Sequence, residues 1–199
     1  MGMRVLVGME FSGVVRDAFT AKGHYAMSCD FLPSETPGLH YQGNVLECLD
    51  RKWDLIIMHP DCTALCNAGN RHYGVGKEFY YERLASAYFV MKLWSKCRGI
   101  AKRVCFENPP GVLPNMAGLP APQFVQPWWF GHMEQKRTGL YLRGLPDLVQ
   151  TDNVYVEMMK LDRAEREKVF WMGPSETRWM DRARTYTGIA AAMAEQWTD

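Results

Sequence analysis

Residues 55–69, LIIMHPDCTALCNAG, decide how this chain folds and where its chemistry sits. Leu55-Ile56-Ile57-Met58 is a short unbroken apolar run, the pattern of a strand buried on both faces in a parallel sheet. Pro60 stops it and leaves Cys62 on the loop beyond. Open α/β sheets bind their ligands in the crevice outside the carboxyl ends of the strands, so a thiol at this point is the first candidate for a working residue.

On the N-terminal side, Arg4 to Met9 reads as a strand, Glu10-Phe11-Ser12-Gly13 as a tight turn, and residues 14–23 as a helix with Val14, Val15, Ala18 and Phe19 on one side. Gly23 ends that helix, and HYAMSCD runs on as a second strand closing on Asp30. A glycine turn opening the first helix exposes backbone N–H groups, and an acid closing the second strand can hold ribose hydroxyls. Together they point to an adenosine-containing cofactor, although an acid there is also an ordinary solvated strand end. Residues 31–39 read as a Pro/Gly-rich loop, Gln42 to Val45 as a short edge strand or turn, and residues 46–54 as a short helix.

On the C-terminal side, residues 67–79 are rich in Gly, Asn and basic or aromatic side chains. They read either as a mobile loop that closes over substrate or as a plain surface connection. Leu84, Ala87, Tyr88, Met91 and Trp94 share one face of a long helix over 78–97. RVCFENPPG is another buried strand, ending on Glu107 at the same sheet edge as Cys62 and halted by two prolines. A Pro-rich connection leads to a strand at GLYLRG. Residues 148–176 are charged and irregular with helical character over 162–168, and the basic region after them ends in an amphipathic helix. Strands alternating with helices predict an α/β fold with a mostly parallel central sheet and helices on both faces.

A chain of 199 residues fits one domain, 1–199. A net charge of +1 gives no global steering toward nucleic acid, so any such surface must be local. The apolar runs are too short to span a membrane, and the N-terminus enters a strand pattern directly, which predicts a cytoplasmic protein. The six cysteines show no paired CxxC spacing, so neither a metal site nor a disulfide framework is expected, Cys62 and Cys66 being unmatched by a second ligand pair.

A glycine turn, an acid, Pro-x-Cys and Glu-Asn-Pro, in that order, are far more specific together than singly. The set resembles the DNA (cytosine-5) methyltransferases, and with the HPDCT loop and the GIAAAMAEQW ending it is similar to short members from bacteriophages. The resemblance implies a Rossmann-like S-adenosylmethionine-dependent methyltransferase fold, located in the host cytoplasm if phage-encoded. Phe11, Ser12 and Gly13, then Asp30 and Phe31, then Asn44 and Val45, and Pro60 would hold S-adenosylmethionine. Cys62 would be the nucleophile and Glu107 the acid at the cytosine ring, with Arg137, in Gln135-Lys136-Arg137, also catalytic. Asn108, Gln135 and Arg71 would hold the substrate base. Cytosine C5 is a poor nucleophile; adding a thiolate at C6 makes C5 enamine-like and able to accept a methyl group. A carboxyl group bonded to N3 eases that attack, and burial is expected to raise the pKa of Glu107 for the purpose.

Four positions depart from the family pattern. Val15 replaces a glycine of the cofactor turn. Asn44 replaces an acid near the adenine amino group, where its carbonyl can still accept a hydrogen bond. Asp61 replaces proline before the cysteine, and its charge would disfavour a thiolate. Gly139 replaces a second arginine. Only residues 144–178 stand where the family carries a target-recognition domain, which implies short or absent sequence specificity, with Arg178, Arg182, Arg184, Trp179 and Tyr186 offering phosphate contacts and stacking. The expected partner is DNA with a flipped-out or single-stranded cytosine, or a free cytosine nucleotide; two copies could cooperate as a homodimer. The other readings are transfer of a modified cofactor group and a catalytically inactive module that binds cofactor or DNA.

Overall fold

The computed structural model describes residues 2–198. Its seven strands are β1 (Arg4–Gly8), β2 (Tyr25–Asp30), β3 (His40–Gln42), β4 (Leu55–Met58), β5 (Arg103–Asn108), β6 (Gln123–Val125) and β7 (Thr138–Arg143). They form one sheet in the order β3-β2-β1-β4-β5-β7-β6. The pairs from β3 through β5 are parallel, while β7 runs antiparallel to both β5 and β6. The α/β, Rossmann-like architecture expected from the sequence is the one observed.

Strand order reverses between β1 and β4, which are adjacent although β2 and β3 intervene in the chain. At such a switch point the connections leave toward opposite faces and a crevice opens at the carboxyl ends of the strands. The residues that follow β1 and β4, Glu10 to Gly13 and His59 to Cys62, therefore flank one opening.

Alternation along the strands divides the core in two. Leu6, Ile56, Met58, Val104 and Phe106 point to one face, where they meet Val90, Leu93, Trp94 and Cys97 of the long helix. Val5, Val7, Leu55, Ile57 and Cys105 point to the other, against Val15, Phe19, Ile189, Met193 and Trp197. The helices are α1 (Val14–Ala21), α2 (Val45–Cys48), α3 (Asn70–Tyr73), α4 (Tyr80–Ile100), α5 (Leu113–Ala117), α6 (Tyr155–Met158), α7 (Arg163–Arg166), α8 (Lys168–Trp171), α9 (Arg178–Ala183) and α10 (Thr187–Gln196). Helices α1 and α10 cover one face and α4 the other, so both faces of the sheet are clothed as expected. Among the described residues, no helix is long and apolar enough to cross a membrane.

Local differences from the sequence reading have local causes. Strand β3 ends at Gln42, and Asn44 starts α2 because its side chain accepts from Leu46 N–H, so Val45 is helical and not part of an edge strand. The helix expected over 46–54 stops at Cys48. Asn67–Gly69 and Asn70–Tyr73 are helical turns inside the stretch read as a loop. The Pro-rich connection contains α5 and β6. The helical character over 162–168 resolves into α7, opened by a capping box between Asp162 and Glu165, followed by α8.

Candidate active site

Past β4 the chain runs through His59, Pro60 and Asp61 into a single helical turn, closed by Cys66 N–H donating to the Cys62 carbonyl at 2.9 Å. Asp61 Oδ1 caps that turn, accepting from Thr63 N at 3.0 Å and Thr63 Oγ1 at 2.7 Å. The acid before Cys62 is thus spent on building the turn that carries that thiol. Arg83 of α4, buried, pins the turn from below by donating to the carbonyls of Ala64 at 2.6 Å and Cys66 at 3.3 Å. Its third partner is Asn70 Oδ1 at 2.8 Å, which ties in α3.

The loop leaving β5 is stitched to the same turn. Asn67 N–H donates to the Pro110 carbonyl at 2.9 Å and Val112 N–H to the Leu65 carbonyl at 3.0 Å. Gly111 lies so close that a Cβ there would stand 2.1 Å from the Leu65 oxygen, closer than any side chain permits. Asn108, fully buried, donates from Nδ2 to the Pro60 carbonyl at 2.7 Å, while its Oδ1 is buried with no partner. These bonds tie the ends of β4 and β5 together, with Cys62 and Glu107 on the joined segments.

Glu107 Oε2 is bonded to His59 Nδ1 at 3.0 Å, both side chains being almost wholly enclosed. Burial pushes the Glu107 carboxyl up, but the hydrogen bond and charge of His59, helped by the Lys136 ammonium, more than offset it and leave the group below its ordinary value. The expected upward shift is therefore reversed: resting Glu107 is ionised. The other ring nitrogen of His59, Nε2, is buried without a partner.

Lys136 is the cation that the strand leading into β7 brings to this pocket. Burial lowers its pKa, while Glu107 and Cys62 raise it. Its Nζ donates to the carbonyls of Arg182 at 2.6 Å and Arg184 at 3.4 Å, at the end of α9. Arg137, one residue on, is exposed and lies over the Phe124 ring at 3.9 Å. A side chain at Gly139 would be crowded, a Cβ there meeting the Asn108 carbonyl oxygen at 3.0 Å and the Phe124 ring at 3.2 Å. Gln135 is held by its backbone to the Arg166 carbonyl at 2.7 Å, and Arg71 is exposed on α3.

On the other side of the switch point, Gly13 caps α1 at φ 79°, with no room for a Cβ beside Thr36 Oγ1. Only glycine enters that turn without strain. Ser12 Oγ donates to Glu10 Oε1, and Glu10 Oε2 is buried with no partner. Asp30 closes β2, with Oδ1 accepting from Leu32 N at 3.0 Å, and the Phe31 ring after it is 73% exposed. The loop that follows is organised by Arg16, which is 1% exposed. Its guanidinium donates to Ser28 Oγ, Ser34 Oγ, Thr36 Oγ1 and the Thr36 and Pro37 carbonyls. Asn44 Oδ1, expected to accept from an adenine amino group, is occupied by Leu46 N at 3.0 Å. Val45 faces the core beside Gly8 and Met58. Pro60 lines a cleft of about 310 Å³ with Met9, Asp61 and residues of α4.

Helix α9 bridges the two halves. Trp179 meets Phe11 at 5.9 Å between ring centroids, and Arg184 pairs with Glu35 at 2.5 Å and with Asp181. Tyr186 is directed inward, donating to Glu134 Oε2 at 2.7 Å. Of the five residues expected to meet nucleic acid, Arg184 and Tyr186 are therefore engaged within the protein, and Trp179 remains half exposed.

The parts not visible in the sequence are His59, Lys136, Arg16 and Arg83. Each acts through partners far along the chain. The signal that could have marked Arg16 and Arg83 is their placement among the buried apolar residues on the inner faces of α1 and α4.

Together, the mostly parallel open sheet and the thiol, carboxylate and ammonium gathered at its switch point define the class: an α/β protein of Rossmann-like fold with a cluster of ionisable groups at the strand ends. No family model matches the chain, and no curated protein does. Among solved structures it is similar to a protein titled as a DNA modification methyltransferase encoded within an E. coli prophage, with 17% identity over 88% of this chain and 51% of that one, TM-score 0.47. The Entamoeba histolytica methyltransferase EhMeth gives 13% identity over 77% and 58%, TM-score 0.49. The S. pombe Dnmt2 methyltransferase gives 12% over 88% and 61%, TM-score 0.48. The chain spans about half to three-fifths of the length of these proteins.

Proposed function

We propose that this chain is an S-adenosylmethionine-dependent methyltransferase that modifies C5 of cytosine in DNA through a covalent bond from Cys62 to C6. The observation that carries the reading is the stitching of the Cys62 turn to the end of β5. It holds a thiol and the His59-backed Glu107 carboxylate on one frame, as attack at C6 with proton delivery at N3 requires.

The residues around the switch point fit the cofactor. The unpartnered Glu10 Oε2 is an acceptor awaiting a donor, the Gly13 turn keeps the backbone bare, and the exposed Phe31 ring beside Asp30 offers a stacking surface next to a ribose-binding acid. When bound, S-adenosylmethionine supplies a methyl group on a sulfonium, electrophilic enough for an enamine carbon. In the chain's own part of the reaction, Cys62 sulfur bonds to C6 while N3 takes a proton through Glu107. Because resting Glu107 is ionised, it takes up a proton from solvent before it donates at N3. The Lys136 ammonium balances the carboxylate once the proton has left. Asn108, its amide committed to Pro60, turns its free Oδ1 toward an exocyclic amino donor. Transfer of the C5 proton to a water molecule then lets the Cys62 sulfur depart as C5=C6 re-forms, and N3 returns its proton to Glu107.

The test uses DNA containing 5-fluorocytosine, which cannot lose a proton from C5. With S-adenosylmethionine, mass spectrometry should find protein bound covalently to the DNA, and none with Cys62→Ala. An adduct formed with 5-fluoro-dCMP and not with DNA would move the substrate to the free nucleotide. The engagement of Arg184 by Glu35 and Asp181, which removes a phosphate contact from the mouth of the site, favours that second reading. No adduct with either, in a protein that still binds the cofactor, would overturn the covalent mechanism.

A further inference from the structure

Helix α4 is apolar on two sides, and the sheet covers one of them. Its buried face is Arg83, Ala87, Val90, Leu93, Trp94 and Cys97. Leu84 and Tyr88, whose spacing groups them with Ala87 and Trp94, are instead 39% and 57% exposed. With Tyr81, 81% exposed, and the partly buried Met91, they run at three-and-four intervals as far as Ser95, the seam along which one helix packs on another. Beside the later half of this seam lies a groove of about 450 Å³, lined by Leu46, Phe89, Lys92, Leu93, Ser95 and Lys96. A contiguous apolar surface of this kind marks an interaction site.

The face is complementary to itself when turned end for end. Bulk stands in its first half, at Tyr81 and Leu84, while the small Ser95 and the groove stand in its second, as far beyond Tyr88 as Tyr81 is before it. Charge divides the same way: the exposed acid of α4 is Glu82, and its exposed bases are Lys92, Lys96 and Arg98, all past Tyr88. We propose that α4 is the contact surface of a twofold dimer of this chain, two copies of the helix packing antiparallel about an axis at Tyr88. In that pairing Tyr81 enters the groove at Ser95 of the partner subunit and Glu82 meets Lys96 of the partner subunit. Both contacts recur in reverse, as an isologous interface requires, and the two helix dipoles oppose. Within its own chain Lys96 pairs with Asp50 at 3.8 Å, a long ion pair that leaves the ammonium open to a second carboxylate. Lys92 lies over the Tyr88 ring at 5.3 Å, so its stem continues the apolar seam while its charge reaches the rim. The surface adjoins the candidate site. Ala85 and Phe89 also line the 310 Å³ cleft beside Pro60 and Asp61, and a second helix packed on α4 closes one side of it. The dimer is independent of the methyltransferase reading and stands or falls without it.

The decisive measurement is sedimentation velocity of the whole chain across roughly 1–100 μM, since one helix pair is a small interface and its affinity falls in the micromolar range. The wild type should pass from monomer to dimer within that span. Tyr88→Arg sets two guanidinium groups against each other at the axis and should weaken the dimer at least about thirtyfold, the scale of an interface hot spot. Glu82→Lys should weaken it about tenfold by placing like charges together, and adding Lys96→Glu should restore it, because the pair is then exchanged and not lost. All three side chains are exposed, so thermal melting followed by circular dichroism should show every variant folded. A wild type that stays monomeric throughout the range would overturn the proposal. So would a dimer indifferent to Tyr88→Arg, which lies on another face, or a double variant no better than Glu82→Lys alone.

Discussion

A carboxylate buried beside an apolar strand ought to be a weak acid made weaker, and Glu107 is the opposite because His59 stands 3.0 Å away. The sign of its effect on stability follows. With a folded pKa below the ordinary 4.5, Glu107 contributes stability above that value, and the contribution is lost as pH falls through the folded pKa. Replacing His59 with Asn removes the charge and leaves burial in command, so the Glu107 pKa rises. His59→Asn should therefore lose thermal stability as pH climbs from about 4.5 toward neutrality, whereas the wild type loses it on acidification below 4.5, a contrast that melting curves across that range will show. Cys62 and Glu107 were legible in the sequence because proline punctuates the end of each strand. His59 was not, since its partner is 48 residues away. Nor was Lys136, whose ammonium acts on Glu107 and feels the charge of Cys62. Which of two adjacent basic residues faces the pocket depends on the register of β7 against β5, where Asn108 lies opposite Gly139, and spacing alone does not fix that.

At the scale of elements, the working unit is the pair of loops after β4 and β5. Gly111 is the contact point, and a methyl group there must push the Leu65 carbonyl away. Gly111→Ala should cost a modest ~1–3 kcal/mol in urea unfolding, the range for overpacking. The rate of 5-fluorocytosine trapping should fall further, about a hundredfold, since a misplacement near 1 Å is enough for that. Equal losses in the two measurements would show the loop pairing to be structural only. Strands β1, β2, β4 and β5 were readable as apolar runs. The edge strand β6 was not, because Gln123-Phe124-Val125 is three residues between Pro122 and Pro127 and its pairing comes wholly from β7. The loop after Asp30 looked merely Pro/Gly-rich, and its order comes from the single buried side chain of Arg16.

Over the whole molecule, the sheet is covered on one face by α4 and on the other by α1 and α10. The α10 helix supplies Ile189, Ala190, Met193 and Ala194, all but fully buried against Val15, Phe19 and the strands. Met193→Ala should cost about 2–5 kcal/mol in denaturant unfolding, a large part of the roughly 5–15 kcal/mol that a domain commands. The two-faced plan was legible from alternating strand and helix patterns. The seam between α1 and α10 was not, because nothing in either helix names the other. That seam also bears on how the protein is made. Val5, Val7, Phe19, Leu55 and Ile57 leave the ribosome long before Thr187, so the part of this face that α10 covers, beside α1, stays bare through most of synthesis. During that interval it is a surface for chaperones, or for aggregation, and the pace of translation up to α10 becomes part of the yield.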